Sequence, residues 1–148
     1  EELLEIGKGK GCVAENILSV AHHFRYGEFD WFTGGDCQYI RRDQFDYLDI
    51  EAPIAEVMGK VDGMKAGHHS TKGTNSSELL DVLKPDFVIA GTWKDIHPNH
   101  ATAKRFFKAS PDIKFYATNL TDGASARSRD IAVYISTTKA AIARSSWR

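Results

Sequence analysis

Apolar positions fall along the chain in short blocks separated by glycine-rich and polar breaks. From Glu15 to Tyr26, ENILSVAHHFRY is rich in β-formers with rough apolar alternation, and FDWFTGGD follows Gly27-Glu28. Two strands joined by a tight turn are predicted. The second runs into Gly34-Gly35-Asp36, where glycines let the backbone turn sharply and deliver a carboxylate at a strand end. RRDQFDYLDI is polar and mixed, a loop or short helix, and Ala52–Met58 reads as one or two helical turns. VDGMKAG is a short strand ending at Gly67.

Beyond it, Asn75-Ser76-Ser77-Glu78 supplies N-cap chemistry, with Glu78 three residues after Asn75. SSELLDVL places Leu79, Leu80 and Leu83 on one face of a helix that stops before Pro85. DFVIAG is a buried strand by its apolar run, WKDIHPNH a loop, and ATAKRFFKAS a helix ended at Ser110-Pro111. IKFYATN is a strand, TDGAS a turn and RDIAVYIST a last strand. Strand and helix thus alternate from Val61 onward, which argues for a layered α/β arrangement in a single domain over residues 1–148.

Composition changes this picture little. The 148 residues, 42% hydrophobic and 26% charged, suit one globular domain with a real core. A formal net charge of -1 gives no basic field for binding nucleic acid. Cys12 and Cys37 are too few for a disulfide framework, which favours a reduced, cytoplasmic setting. No apolar run approaches the ~20 residues of a membrane span, so no membrane contact is expected. Nothing in the chain fixes an oligomeric state.

Candidate chemistry gathers at the ends of predicted strands: Asp36, the pair His68-His69, and His97-Pro98. Layered α/β folds collect functional residues on one such rim. Aspartate and histidine are ligands that zinc or manganese accepts. Each histidine alone fits a surface or core role; the coincidence of Asp and His at successive strand ends is what points to a metal. His22-His23 reads as strand alternation, one ring inward and one outward. Trp31 and Phe32 read as sheet core, Cys37 as a buried thiol. Arg41, Arg42, Lys104 and Arg105 read as a solvated face rather than phosphate contacts.

FDWFTGGD resembles the strand ending in TGD of metallo-β-lactamase-fold hydrolases. MKAGHHSTKGTNSSELLDVLKPDFVIAG is similar to the K-x-x-HHGS-x-x-S segment, helix and strand of the superfamily's competence-type branch, the hydrolase domain attached to bacterial DNA-uptake channels. IHPNHATAKRF and FYATNLTDGA are similar to that branch's HP loop with its helix and to its closing strand and turn. The resemblance implies an αββα-type sandwich with a two-metal site on the rim between its sheets. On it, Asp36 is the bridging carboxylate, His68 a ligand of the second metal, His69 an alternative ligand or supporting residue, and His97 a catalytic group beside the leaving oxygen. The implied reaction is metal-dependent hydrolysis of a phosphodiester or related ester, with a small-molecule or nucleic-acid substrate and zinc or manganese as cofactor.

Two departures qualify the likeness. Ser70 stands where the branch has Gly, and the His-x-His-x-Asp-His metal loop (His-x-Asp-x-Asp-His in that branch) occurs nowhere in the sequence. The chain is therefore expected to be the C-terminal portion of a longer domain and to carry about half of the metal site. The alternative is a catalytically inactive domain of the same fold, kept as a binding module.

Overall fold

The computed structural model describes residues 15–39, 49–119 and 121. Within them the protein is mixed α/β, with five strands in one sheet and three helices. β1 (His22–Tyr26) and β2 (Phe29–Thr33) form the predicted hairpin, Tyr26 facing Phe29 across Gly27-Glu28. Gly27 takes φ +61°, a left-handed conformation that glycine adopts without strain. β3 (Gly63–Lys65), β4 (Phe87–Ala90) and β5 (Lys114–Ala117) then add in parallel to β2, in the order β1-β2-β3-β4-β5.

Each parallel step is made by a helix: α1 (Glu51–Val57), α2 (Ser77–Leu83) and α3 (His100–Ala109). Pro53 lies in the first turn of α1, where its missing N–H leaves no bond unmade, and Asp49 Oδ1 accepts the Ala52 N–H at 3.0 Å. α2 stops at Lys84, in left-handed geometry before Pro85, and α3 is capped by Asn99, whose Oδ1 accepts from Ala101 N and Thr102 N. Leu79, Leu80 and Leu83 are all buried, as their spacing predicts, against Phe32, Met64, Val88, Phe106 and Phe115.

The helices thus cover one face of the sheet. The other carries Phe29, Trp31 and Phe87, with ring centroids 6.5 Å apart for Phe29–Phe87 and 5.7 Å for Trp31–Phe87. Phe29 and Ile89 remain exposed there, although parallel sheets are ordinarily covered on both faces.

Four expectations change. Glu15–Leu18 makes a 3₁₀ turn instead of the start of β1. The cap of α2 is Ser76, whose Oγ accepts from Leu79 N at 3.2 Å; Asn75 is engaged elsewhere. His22 and His23 both lie in an outer strand exposed along its whole length, so alternation separates no core side. Trp31 is only partly buried, on the face opposite the helices. Cys37 is buried as expected, and burial raises its thiol pKa. The closing turn and the last strand, Arg41, Arg42, Cys12 and most of RRDQFDYLDI lie outside the described residues. No helix among the described residues is long and apolar enough to cross a membrane.

Gly63 pairs with Phe87, and a Cβ at Gly63 would stand 2.4 Å from that ring. Gly63→Ala is predicted to swing the Phe87 ring off the sheet and cost about 1 kcal/mol. In a Phe87→Ala background the same change should be neutral or stabilising; denaturant unfolding of the four-member cycle checks this, and equal costs in both backgrounds contradict it.

Candidate functional site

Three loops meet beyond the C-terminal ends of β2, β3 and β4, the rim where parallel sheets place their chemistry. The first is Gly34-Gly35-Asp36. Gly35 has φ +60°, and Asp36 N donates to Ser19 Oγ at 3.0 Å, which fixes the turn that delivers the carboxylate. Lys65, the last residue of β3, reaches over with Nζ 2.8 Å from Gly35 O and 3.5 Å from Asp36 Oδ1.

The second loop is Gly67-His68-His69-Ser70. His68, His69 and Ser70 have φ of 41°, 58° and 59°, three consecutive left-handed residues without a glycine among them. Such a run is costly and persists only where its surroundings hold it. On one side Asn75 clasps Gly67 at both backbone groups: Gly67 N donates to Oδ1 at 2.8 Å, and Nδ2 donates to Gly67 O at 3.2 Å. On the other, Asn99 N donates to Ser70 O at 2.7 Å and Thr102 Oγ1 donates to Thr71 O at 2.8 Å. Arg105 completes the brace, donating to the carbonyls of Asn75 and Thr74 at 2.8 and 2.6 Å. It is thus a structural residue of this loop and not part of a solvated face, whereas Lys104 is exposed.

The two histidines are turned to different tasks. His69 Nδ1 lies 2.7 Å from the Gly91 carbonyl, an acceptor only, so Nδ1 carries the proton and donates. Its Nε2 lies 3.6 Å from Asp36 Oδ2 and, in the neutral ring, presents a lone pair there. His68 instead sets Nδ1 2.6 Å from Gln38 Nε2 and 3.2 Å from Asn16 Nδ2, so its lone pair is occupied by amides. Burial lowers the His68 pKa, with the charges of His69 and Lys65 adding to the effect and Asp36 opposing it.

The third loop brings Trp93 and His97. The His97 ring stacks on His69 with centroids 5.5 Å apart, and Trp93 stands edge-on to both, 4.1 Å from His69 and 5.1 Å from His97. His97 is only 4% exposed, and its Nδ1 finds no hydrogen-bond partner among the described residues. Burial, then the charges of His69, Lys94 and His68, lower its pKa and keep the ring neutral. Ser70 Oγ and Gln38 Oε1 are likewise buried without partners.

The structure thus gathers Asp36, His68, His69 and His97 on one rim. Asn16, Lys65, Trp93, Gly91 and the bracing Asn75 join them, none of which the pattern of strand-end ligands picked out. Of these, Lys65 and Trp93 were within reach of sequence reasoning, the first at a strand end and the second four residues before His97. The open cleft beside Asp36 is lined by Asn16, Leu18, Ser19, Gly35 and Lys65.

A metal would fit part of this arrangement. Two ligand atoms each ~2.1 Å from one tetrahedral ion stand about 3.4 Å apart, close to the spacing of Asp36 Oδ2 and His69 Nε2. A carbonyl holding the far nitrogen is the usual support of a metal-bound histidine. Among the described residues, however, no three His, Cys, Asp or Glu side chains converge on one point.

Fold and site together define a mixed α/β protein with an acid–histidine cluster on the C-terminal rim of its parallel strands. No family model matches the chain, and no curated protein matches it either.

The lowered His97 pKa has a signed consequence. A histidine depressed below its unfolded value contributes stability that is present above the unfolded pKa and is lost as pH falls from there through the folded one. His97→Phe keeps a ring against His69 and Trp93 and removes the titrating group. Its urea midpoint is predicted to fall less than the wild type's between about pH 7.5 and 5.5. Equal falls would assign the acid limb to other groups.

Proposed function

We propose that the protein is a metal-dependent hydrolase of phosphodiesters or related esters, built on a metallo-β-lactamase-type αββα sandwich. The observation that carries this reading is the approach of His69 Nε2 to Asp36 Oδ2 at 3.6 Å, the other His69 nitrogen being bonded to the Gly91 carbonyl. The apolar second face of the sheet supports the sandwich, since Phe29, Trp31, Phe87 and Ile89 are the residues a second layer would cover.

Asp36 and His69 would hold a zinc or manganese ion, and His68 would join them only by leaving Gln38 and Asn16. A bound ion supplies a water of lowered pKa and a Lewis acid for the ester oxygen. Lys65 holds the Asp36 carboxylate from the other side and adds positive charge to the cleft where an anionic ester would lie. His97, neutral and stacked on His69, keeps that ring in place; its depressed pKa makes it a poor proton donor at neutral pH. Small-molecule phosphodiesters suit the cleft better than nucleic acid, because the chain's net charge of -1 supplies no extended basic surface.

A second reading, an inactive domain of the same fold used for binding, is favoured by the lack of a third converging ligand among the described residues. The full-length gene product separates the two. The hydrolase reading predicts bound zinc or manganese and turnover of bis(p-nitrophenyl) phosphate, lowered at least ~100-fold in Asp36→Ala and His69→Ala. Unchanged turnover in these variants refutes the site assignment; neither metal nor turnover in the wild type supports the binding module. Residues 1–148 by themselves are predicted to retain zinc substoichiometrically, since the described residues bring together two ligands of the three or more a stable site needs.

A further inference from the structure

Glu51 opens α1 yet is 1% exposed, an unusual place for a carboxylate. Its Oε1 accepts from Asn75 N at 2.6 Å and its Oε2 from Ser76 N at 2.5 Å. Asn75 is the residue whose side chain clasps Gly67, immediately before the left-handed run at His68, His69 and Ser70. We propose that Glu51 is the positioning residue of the site: acting through Asn75, its carboxylate holds Gly67 and thereby the turn that presents His69 to Asp36. This rests on the hydrolase reading, because the shape of the turn matters to function only if His69 acts there.

The groups around the carboxylate leave it few other partners. Asn75 and Ser76 face it from the loop before α2, and the Cys37 thiol shares its small cavity with Phe32, Ile54, Met64 and Leu79. Asp49 adds negative charge, and Arg105 of α3 is committed to the carbonyls of Thr74 and Asn75. Burial pushes the carboxyl up to about 7, against the pull of the Ser76 and Asn75 N–H groups.

The sign follows from linkage. Relative to the unfolded chain, the raised pKa favours the folded state at low pH, and that contribution is lost as pH rises through about 7. Relative to a folded state whose loop has let go while the carboxyl stays buried, the two N–H bonds favour ionisation, so protonation favours release. Acidification therefore raises the Glu51 contribution to global stability while loosening the grip on Gly67. A purely structural role would move both the same way.

The test uses Glu51→Gln beside Leu80→Val, a core change that lowers stability without touching the loop. In Glu51→Gln, exchange of the Gly67 amide hydrogen is expected at least ~10-fold faster and zinc affinity ~10–100-fold weaker than in Leu80→Val. Gly67 protection and zinc affinity equal in the two variants overturn the proposal. Should Glu51→Gln fail to fold, the wild type decides: the Gly67 amide resonance should shift with the titration of the Glu51 carboxyl carbon near pH 7, and a resonance indifferent to it overturns the proposal. A wild type that takes up no zinc defeats the hydrolase reading, while the Gly67 measurements still judge Glu51.

Discussion

A buried carboxylate gripping two backbone N–H groups is the constraint on which the site depends. Glu51 fixes Asn75, Asn75 fixes Gly67, and Gly67 leads directly into three left-handed residues that would not hold that shape unaided. Because the chain of bonds is short and shielded, each link acts in a low-dielectric setting where an unmade bond is costly. The cost of burying the carboxylate is offset by order in the loop that sets His69 beside Asp36.

The sheet supplies the rest. Parallel pairing of β2, β3 and β4 sets their C-terminal ends side by side, so Asp36, His69 and His97 meet although they lie far apart in sequence. Helices on one face give these ends a rigid base of buried leucines and phenylalanines, while the opposite face stays aromatic and partly open. The site is therefore rigid beneath and open at the side, where Asn16, Ser19 and Lys65 border the cleft.

Much of this is legible in the sequence, for physical reasons that also mark the limits. The spacing of Leu79, Leu80 and Leu83 reveals the buried face of α2 because helical period alone determines it. The cap of that helix slips by one residue because Asn75, equally suited to cap, is captured by Gly67 from outside the local sequence. Glu15–Leu18 has the composition of a strand but forms a turn that carries Asn16 to His68, a contact between residues 52 apart. The pair His68-His69 marks a candidate ligand loop, yet which ring faces Asp36 depends on φ angles and on the Gly91 carbonyl, neither visible in spacing. Glu51 gives no local sign of its role, since an acidic residue in a first helical turn is ordinary until it is buried.

On the hydrolase reading, Asp36 and His69, not His68, would be the first two ligands of a zinc ion. Anomalous X-ray diffraction at the zinc edge, on crystals of the protein grown with zinc, tests it most directly. The account predicts a peak ~2.0–2.2 Å from both Asp36 Oδ2 and His69 Nε2, with His68 still bonded to Gln38. A peak on His68 with His69 left on the Gly91 carbonyl alone, or no peak near Asp36, would contradict it.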